Sequence, residues 1–351
     1  MDNPAARPCI SVVMSVFNGE PLLSEAVESI LGQTFGDFEF IIINDGSTDG
    51  SGETLQKFAR QDDRIRLVEQ PNRGLNLALN DGIDAARGKY LARMDADDIS
   101  LPERLAQQHT FLETHPEIGV VGVEAVWFMV DGRERRDRWM RVHSPDHARW
   151  RLLFQNCMIH PSVMGRTELF KRYRYCPDTR VAQDYELWLR MSLQENLVNM
   201  PEPLLAFRRT QRSVGATQRN DQRHTAVRVQ GAMIKDLLGE EVPRKFVREF
   251  HYLSFGQCNL DGEDAVELAQ LMLRIHDRFC RRYRPGFMDR LRVGSDLARF
   301  LYASLIKLRS TSNWRFAREM ARFSLRHPQL AEFAAVRAGG RLLRALGVKR
   351  S

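Results

Sequence analysis

Three aspartates crowd one short stretch of the chain, Asp95, Asp97 and Asp98, with only Ala96 among them. Carboxylates this close repel one another, so an ordinary loop gains nothing by clustering them. A hard divalent cation, Mn²⁺ or Mg²⁺, would relieve the repulsion. Mg²⁺ is usually held by one or two carboxylates, with substrate phosphates completing its shell. The alternative is a solvated acidic turn or the start of a helix. Asp184 poses a similar choice. It lies where a helical pattern begins in residues 181–190, a place that favours a carboxylate through capping and the helix dipole whether or not it does chemistry. His160, before Pro161 and Ser162, reads either as a structural histidine or as part of a site.

Such groups need a frame. Residues 10–16 form a β-branched run ending in the turn signal Phe17-Asn18-Gly19, and helical spacing follows from Pro21 to Gly32. Residues 38–44 are a second strand, apolar enough to be buried on both faces, and Asp45-Gly46-Ser47 ends it. A helix follows, then a short strand at 65–68 and a helix opened by Asn72-Arg73-Gly74 and closed by Gly88. Residues 89–94 read as the strand that delivers the acids, and Pro102 opens a helix to about residue 114. Strand and helix alternate four times, which predicts a mostly parallel α/β sheet with helices on both faces. Ligands bind such sheets beyond the carboxyl ends of the strands. Ser15, Asn18, Asp45, Asp95 and Asp97 all fall at those ends. Further strands are predicted at 120–130 and 162–165, with a helix at 167–172.

A glycine-cradled phosphate is not available: the first turn is Asn18-Gly19-Glu20-Pro21 rather than G-x-G-x-x-G, and no G-x-x-x-x-G-K-[ST] occurs. A metal on the acid cluster would hold phosphate instead.

The ordered set Val16–Glu20 (VFNGE), Asn44–Asp49 (NDGSTD), Asn72-Arg73-Gly74 with Asn80 and Gly82, Met94–Asp98 (MDADD), His160-Pro161-Ser162 and Gln183–Arg190 (QDYELWLR) resembles family 2 glycosyltransferases over roughly residues 8–215. The resemblance implies an inverting enzyme with the GT-A fold, Rossmann-like with a helical C-terminal extension. It implies that Ser15, Val16, Phe17, Asn18, Glu20 and Asp45 line a nucleoside pocket with Arg73 beside the nucleotide. Asp95 and Asp97 match the family's D-x-D, with Asp97 the direct metal ligand, and Asp184 matches the catalytic base. His160 and Trp188 are assigned to acceptor contact or support. The donor is expected to be a UDP-sugar, and the acceptor a glycan or lipid-linked hydroxyl in surface polysaccharide or lipopolysaccharide-type synthesis. Three positions depart from the pattern: Ser15 stands for a usual proline, Gln183 for a usual glutamate, and the segment Phe207-Arg208-Arg209-Thr210 lacks a frequent histidine. Two rivals remain. A nucleotidyltransferase would want an early glycine-rich, lysine-bearing loop. A catalytically silent sugar-nucleotide-binding or scaffold protein would keep the pocket alone.

Length predicts about two domains, divided as 1–225, catalytic, and 226–351, helical and basic. Residues 231–351 carry 23 Lys+Arg against 13 Asp+Glu, so the whole-chain excess of +7 belongs to this third. Residues 287–308 space leucines and Phe300 among arginines, as a basic amphipathic helix does. Such a helix either lies on an anionic bilayer or packs on protein; Arg315–Arg318 and Arg341–Arg344 repeat the theme. The aromatics form no stacking platform, so nucleic acid is not expected. Five scattered cysteines without C-x-x-C spacing argue against a disulfide framework and a zinc site. No run of about 18 apolar residues and no signal-peptide core appears. A cytoplasmic location, at the inner face of the membrane if the basic region binds it, is expected.

Overall fold

The computed structural model describes residues 7–129, 134–135, 142, 144–209, 219–254, 257–260 and 262–307. By backbone contacts the chain divides into one unit of Met1–Leu152 with Asn156–Ala226 and another of Leu153–Gln155 with Val227–Ser351.

The first unit is built on a nine-stranded sheet. Strands β1 (Ile10–Val16), β2 (Phe38–Asp45), β3 (Ile65–Gln70) and β4 (Tyr90–Met94) alternate with helices α1 (Leu23–Leu31), α2 (Ser51–Gln61) and α3 (Leu75–Ala85). Every residue of β2 and β4 is buried, as expected of strands covered on both faces. β1 pairs in parallel with β2 on one side and β4 on the other, and β2 pairs with β3. Helix α3 packs close: a Cβ on Gly82 would come within 2.5 Å of Val13.

Beyond β4 the sheet is mixed rather than parallel. β5 (Ile99–Ser100), α4 (Arg104–Thr114), β6 (Val120–Met129), β7 (Glu134–Arg135), α5 (Pro145–Leu152), β8 (Met164–Arg166), α6 (Thr167–Tyr173), α7 (Gln183–Ser192) and β9 (Leu197–Arg209) follow. Sheet order is β3-β2-β1-β4-β8-β6-β9-β5, with β7 on β6. β8 runs antiparallel to β4 and β6, β5 antiparallel to β9, and β6 parallel to β9. The strand expected at 162–165 begins at Met164 because His160–Ser162 make one turn of 3₁₀ helix around Pro161.

The second unit holds helices α8 (Arg219–Leu238, its first turns still in the first unit), α9 (Arg244–Ser254), α10 (Gly262–Tyr283) and α11 (Phe287–Lys307), of which α9 and α10 are strongly amphipathic. Val293, Leu297, Phe300 and Leu301 of α11 are buried, as are Phe250 and Leu253 of α9 and Leu268, Met272 and Ile275 of α10. The apolar stripe read from residues 287–308 is therefore taken up by packing against helices of its own unit. Phe154 joins this core, its ring 5.3 Å from Phe250 and 5.1 Å from Phe300. Among the described residues no helix is long and apolar enough to cross a membrane. Leu308 and the two later arginine-flanked repeats lie outside the described residues.

Candidate functional site

Strand register brings the polar ends together. Val16 lies opposite Asn44, and Met14 opposite both Ile42 and Met94. The residues that follow β1, β2 and β4 therefore leave the sheet along one edge. β8 runs down the other side of β4, so that Val163 accepts the Arg93 N–H at 2.9 Å and the His160–Ser162 turn arrives beside the acids. On the far side of the acids, β5 pairs with Leu205 and Ala206 of β9. That pairing sets Arg208 against the acid loop.

Oxygens of Asp95, Asp97 and Asp98 all lie within 4.8 Å of one another. Asp98 is buried, accepts the Arg208 N–H at 2.8 Å through one oxygen, and leaves its other oxygen without a hydrogen-bond partner. Burial first, then the charges of Asp95 and Asp97, push Asp98 well above the ordinary carboxylate range. Burial and then Asp95 push Asp97 up to about 6, against opposing help from Arg93 and Arg208. An all-oxygen donor set with an orphaned buried oxygen and carboxylates held short of charge suits a hard divalent cation. Within it Asp95 already pairs with Arg93, which leaves Asp97 as the freer ligand. The Arg208 side chain pairs with Glu25 and reaches the Asp97 carbonyl at 3.5 Å; the Arg209 side chain is outside the described residues.

A second layer of polar groups stands behind the acids. Arg93 is 1% exposed. His160 Nε2 and the Tyr175 hydroxyl share a 2.7 Å hydrogen bond. Burial, then Arg93, lowers the His160 pKa well below its usual value and keeps the ring neutral. Burial raises Tyr175, which also senses Arg93, Asp184 and Asp95. Asp184 occupies the second position of α7 rather than its cap, since Ala182 caps the helix. Burial pushes its pKa up and the charge of Asp95 adds to that, while Asn156 Nδ2 donates to its carboxylate at 2.8 Å. Asp184 and Asp95 are thus electrostatic neighbours across a wide gap in sequence. Trp188 is fully buried against His160 and Phe170, ring centroids 6.3 Å from each. It supports His160 from behind and offers no surface to a ligand.

On the other flank, the loops after β1 and β2 are stitched to each other. Asn18, in the left-handed region at φ 54°, accepts the Thr48 N–H at 2.8 Å and donates its own N–H to Ser47. Glu20 accepts the Thr54 hydroxyl at 2.7 Å. Asp45 is buried and accepts from Gln70 Nε2, Arg73 N–H and Gly74 N–H at 2.8–2.9 Å, which folds the 72–74 loop over the end of β2. Gly46, at φ 73°, lets that loop approach: a Cβ there would meet the Asn72 nitrogen at 2.6 Å. Three of roughly four lone-pair sites on Asp45 are then used and about one is left. Ser15 is half-buried, and Val16 is in the core, so only its backbone can line a pocket. Phe17 is 53% exposed. The Arg73 side chain pairs with Asp81 at 3.0 Å.

Arg93, Tyr175 and Asn156 were not singled out by sequence. The signal for Arg93 was present, since a charge within an apolar strand must find a buried partner. Tyr175 and Asn156 carry no such mark. Asn80, noted in a motif, proves to hold Tyr175: its side chain accepts the Tyr175 N–H at 3.0 Å and donates to its carbonyl at 2.9 Å.

The family described as Glycosyl transferase family 2 matches residues 11–174. Putative glycosyltransferase EpsE of Bacillus subtilis is 35% identical over 215 residues, 58% of this chain and 76% of its own length. The O-antigen biosynthesis glycosyltransferase WbnJ of Escherichia coli is 32% identical over 187 residues, 52% of this chain and 71% of its own. Among solved structures, S. aureus TarS 1-349 in complex with UDP-GlcNAc superposes with a TM-score of 0.55 at 16% identity, covering 85% of this chain and 90% of that one. The mannosyltransferase PcManGT from Pyrobaculum calidifontis, in complex with GDP-Man and Mn²⁺, gives 0.52 at 18% identity, with 88% and 89% covered. At these identities the two structures speak to the fold, which is GT-A.

Proposed function

The chain belongs to glycosyltransferase family 2, and on that premise we propose that it transfers a sugar from a UDP-sugar to an acceptor hydroxyl with inversion at the anomeric carbon. The observation that carries this reading is that Asp184 lies within electrostatic reach of Asp95, one of the three clustered acids. Asp97, with Asp95 beside it, would hold a Mn²⁺ or Mg²⁺ ion. When bound, such an ion neutralises charge on the departing diphosphate. The residues Ser15–Asn18, Glu20 and Asp45 would receive the nucleoside, and the lone pair left on Asp45 suits a base N–H. Arg73 sits on the loop that Asp45 folds and would lie along the nucleotide.

The acceptor oxygen bonds to the anomeric carbon as the sugar–phosphate bond breaks, and the hydroxyl proton passes to the Asp184 carboxylate. Asn156 holds that carboxylate in place. Neutral His160 and Tyr175 stand beside the buried Arg93. One base and one direct displacement give inversion.

The acceptor class proposed is a glycan or lipid-linked chain of surface polysaccharide, in keeping with the description of WbnJ. The basic helical unit would bring the enzyme to the inner face of the membrane. Nucleic acid is not a proposed partner. Transfer and hydrolysis measured over a panel of UDP-sugars, with wild type and Asp184→Asn, test the proposal. The expected result is a loss of at least about 100-fold in kcat with UDP affinity unchanged. Equal turnover by both proteins would remove Asp184 as the base, and no turnover of any donor by wild type would favour a silent sugar-nucleotide-binding protein.

A further inference from the structure

The apolar stripe of α11 is packed away, yet its first two residues are not. Phe287 is 74% exposed and Met288 57% exposed, side by side where the chain turns from α10 into α11. Large apolar side chains stand this open rarely and singly on a soluble surface; an adjacent pair at a turn is a protrusion. What surrounds them is not ordinary surface. Residues 278–292 hold six arginines and one acid, Asp289. The acid is answered by Arg292 at 2.8 Å, and Arg282 is answered by Asp236. Arg281 and Arg284 are exposed and have no carboxylate partner among the described residues, and Arg290 spends one donor on the Pro285 carbonyl at 3.0 Å.

Elsewhere on this unit several exposed cations are neutralised. Lys235 pairs with Glu241, Lys245 with Asp264, and Arg274 with Glu240. The exposed Phe287-Met288 pair thus lies in a stretch whose Arg281 and Arg284 have no carboxylate partner among the described residues. An apolar wedge inside a collar of unpaired arginines matches one surface chemically: anionic headgroups outside and acyl chains beneath. A protein partner would need to present acids around a greasy socket.

We propose that the α10–α11 turn is the membrane-contacting tip of the protein, with Phe287 and Met288 entering the interface of an anionic phospholipid bilayer and Arg281, Arg284 and Arg290 contacting its headgroups. This refines the membrane contact named above to one turn and is independent of the donor chemistry. It also replaces the lengthwise amphipathic helix, whose apolar face is not available.

Full-length protein is co-sedimented at low salt with vesicles of phosphatidylcholine alone, and of equal parts phosphatidylcholine and phosphatidylglycerol. Phe287→Ser with Met288→Ser, and Arg281→Gln with Arg284→Gln, are compared with wild type. Wild type is expected to bind the mixed vesicles and not the neutral ones. The first double variant should lose about tenfold or more in partitioning, as removal of buried apolar area predicts. The second should lose about tenfold or more, with weaker salt dependence. Far-UV circular dichroism and UDP-sugar hydrolysis in solution should be unchanged in both, so failure of the membrane proposal and of the glycosyltransfer reading give different results. Wild-type sedimentation by the serine variant, or equal binding to neutral vesicles, would overturn the proposal. So would a dimer in the absence of lipid that the serine variant dissolves, because the patch would then be a subunit interface.

Discussion

A base works only when unprotonated, and Asp184 is drawn toward its protonated form by burial and by the charge of Asp95, against hydrogen bonds from the Tyr185 N–H and Asn156. Its folded pKa is raised, so kcat should fall as pH drops through a value above the ordinary carboxylate range. Asn156→Ala deletes a bond that favours the charged form. It should shift the acid limb of the kcat profile to still higher pH while leaving UDP affinity intact; an unmoved limb would remove Asn156 from the role. Asp97 behaves differently because a cation competes with its proton. With the carboxyl near 6, Mn²⁺ affinity should rise with pH, by up to about tenfold per unit below that value, and level off above it. The same sign governs stability. A carboxyl whose pKa is raised on folding binds more protons folded than unfolded, so metal-free protein should lose stability as pH rises between about 4 and about 6. Saturating Mn²⁺ should erase that loss, and thermal unfolding at a series of pH values with and without Mn²⁺ measures it. The acids were legible in the sequence because their crowding is chemically odd. Tyr175 and Asn156 were not, because a tyrosine and an asparagine acquire meaning only from neighbours that the fold brings from elsewhere.

At the scale of elements, α3 does more than cover the sheet. Asn76 and Asn80, one turn apart on one face, tie the 175–179 segment by its backbone: Asn76 Nδ2 donates to the carbonyls of Cys176 and Thr179 at 2.7 Å. Asn80→Ala would leave the Tyr175 N–H and carbonyl unpaired inside the protein, a cost of about 1–3 kcal/mol. Because Tyr175 holds His160, kcat should fall as well. Asn80→Asp keeps the acceptor and loses the donor, so it should recover part of both. Calorimetric unfolding and kcat, read together, decide whether the helix positions the site or merely stabilises it. The four strand–helix repeats were readable as changes of hydrophobic period. In the second half of the sheet β6 and β8 were readable as strands, but their pairing was not. β5 is two residues long, and whether β8 and β9 run with or against their neighbours depends on pairings far apart in sequence.

At the scale of the molecule, the chain enters its second unit twice. Leu153–Gln155 belong with the C-terminal helices, and Gln230 Nε2 holds the Phe154 carbonyl at 2.7 Å. Leu153, Phe154 and Gln155 give no compositional sign of a change of unit. Phe154→Ala in the full chain should cost about 3–5 kcal/mol by leaving a cavity, and a chain cut after residue 226 should express poorly because Phe154 loses its core. A shift of less than about 2 °C in the unfolding midpoint of Phe154→Ala would show that the crossing matters little.

The proposed function makes the molecule a clamp for a nucleoside diphosphate, closed by a cation on Asp97. Titration calorimetry of UDP into wild type and Asp97→Ala, each with and without Mn²⁺, tests that claim most directly. Binding should depend on Mn²⁺ in wild type and be lost in Asp97→Ala. UDP affinity that is the same without Mn²⁺, or unchanged in Asp97→Ala, would contradict it.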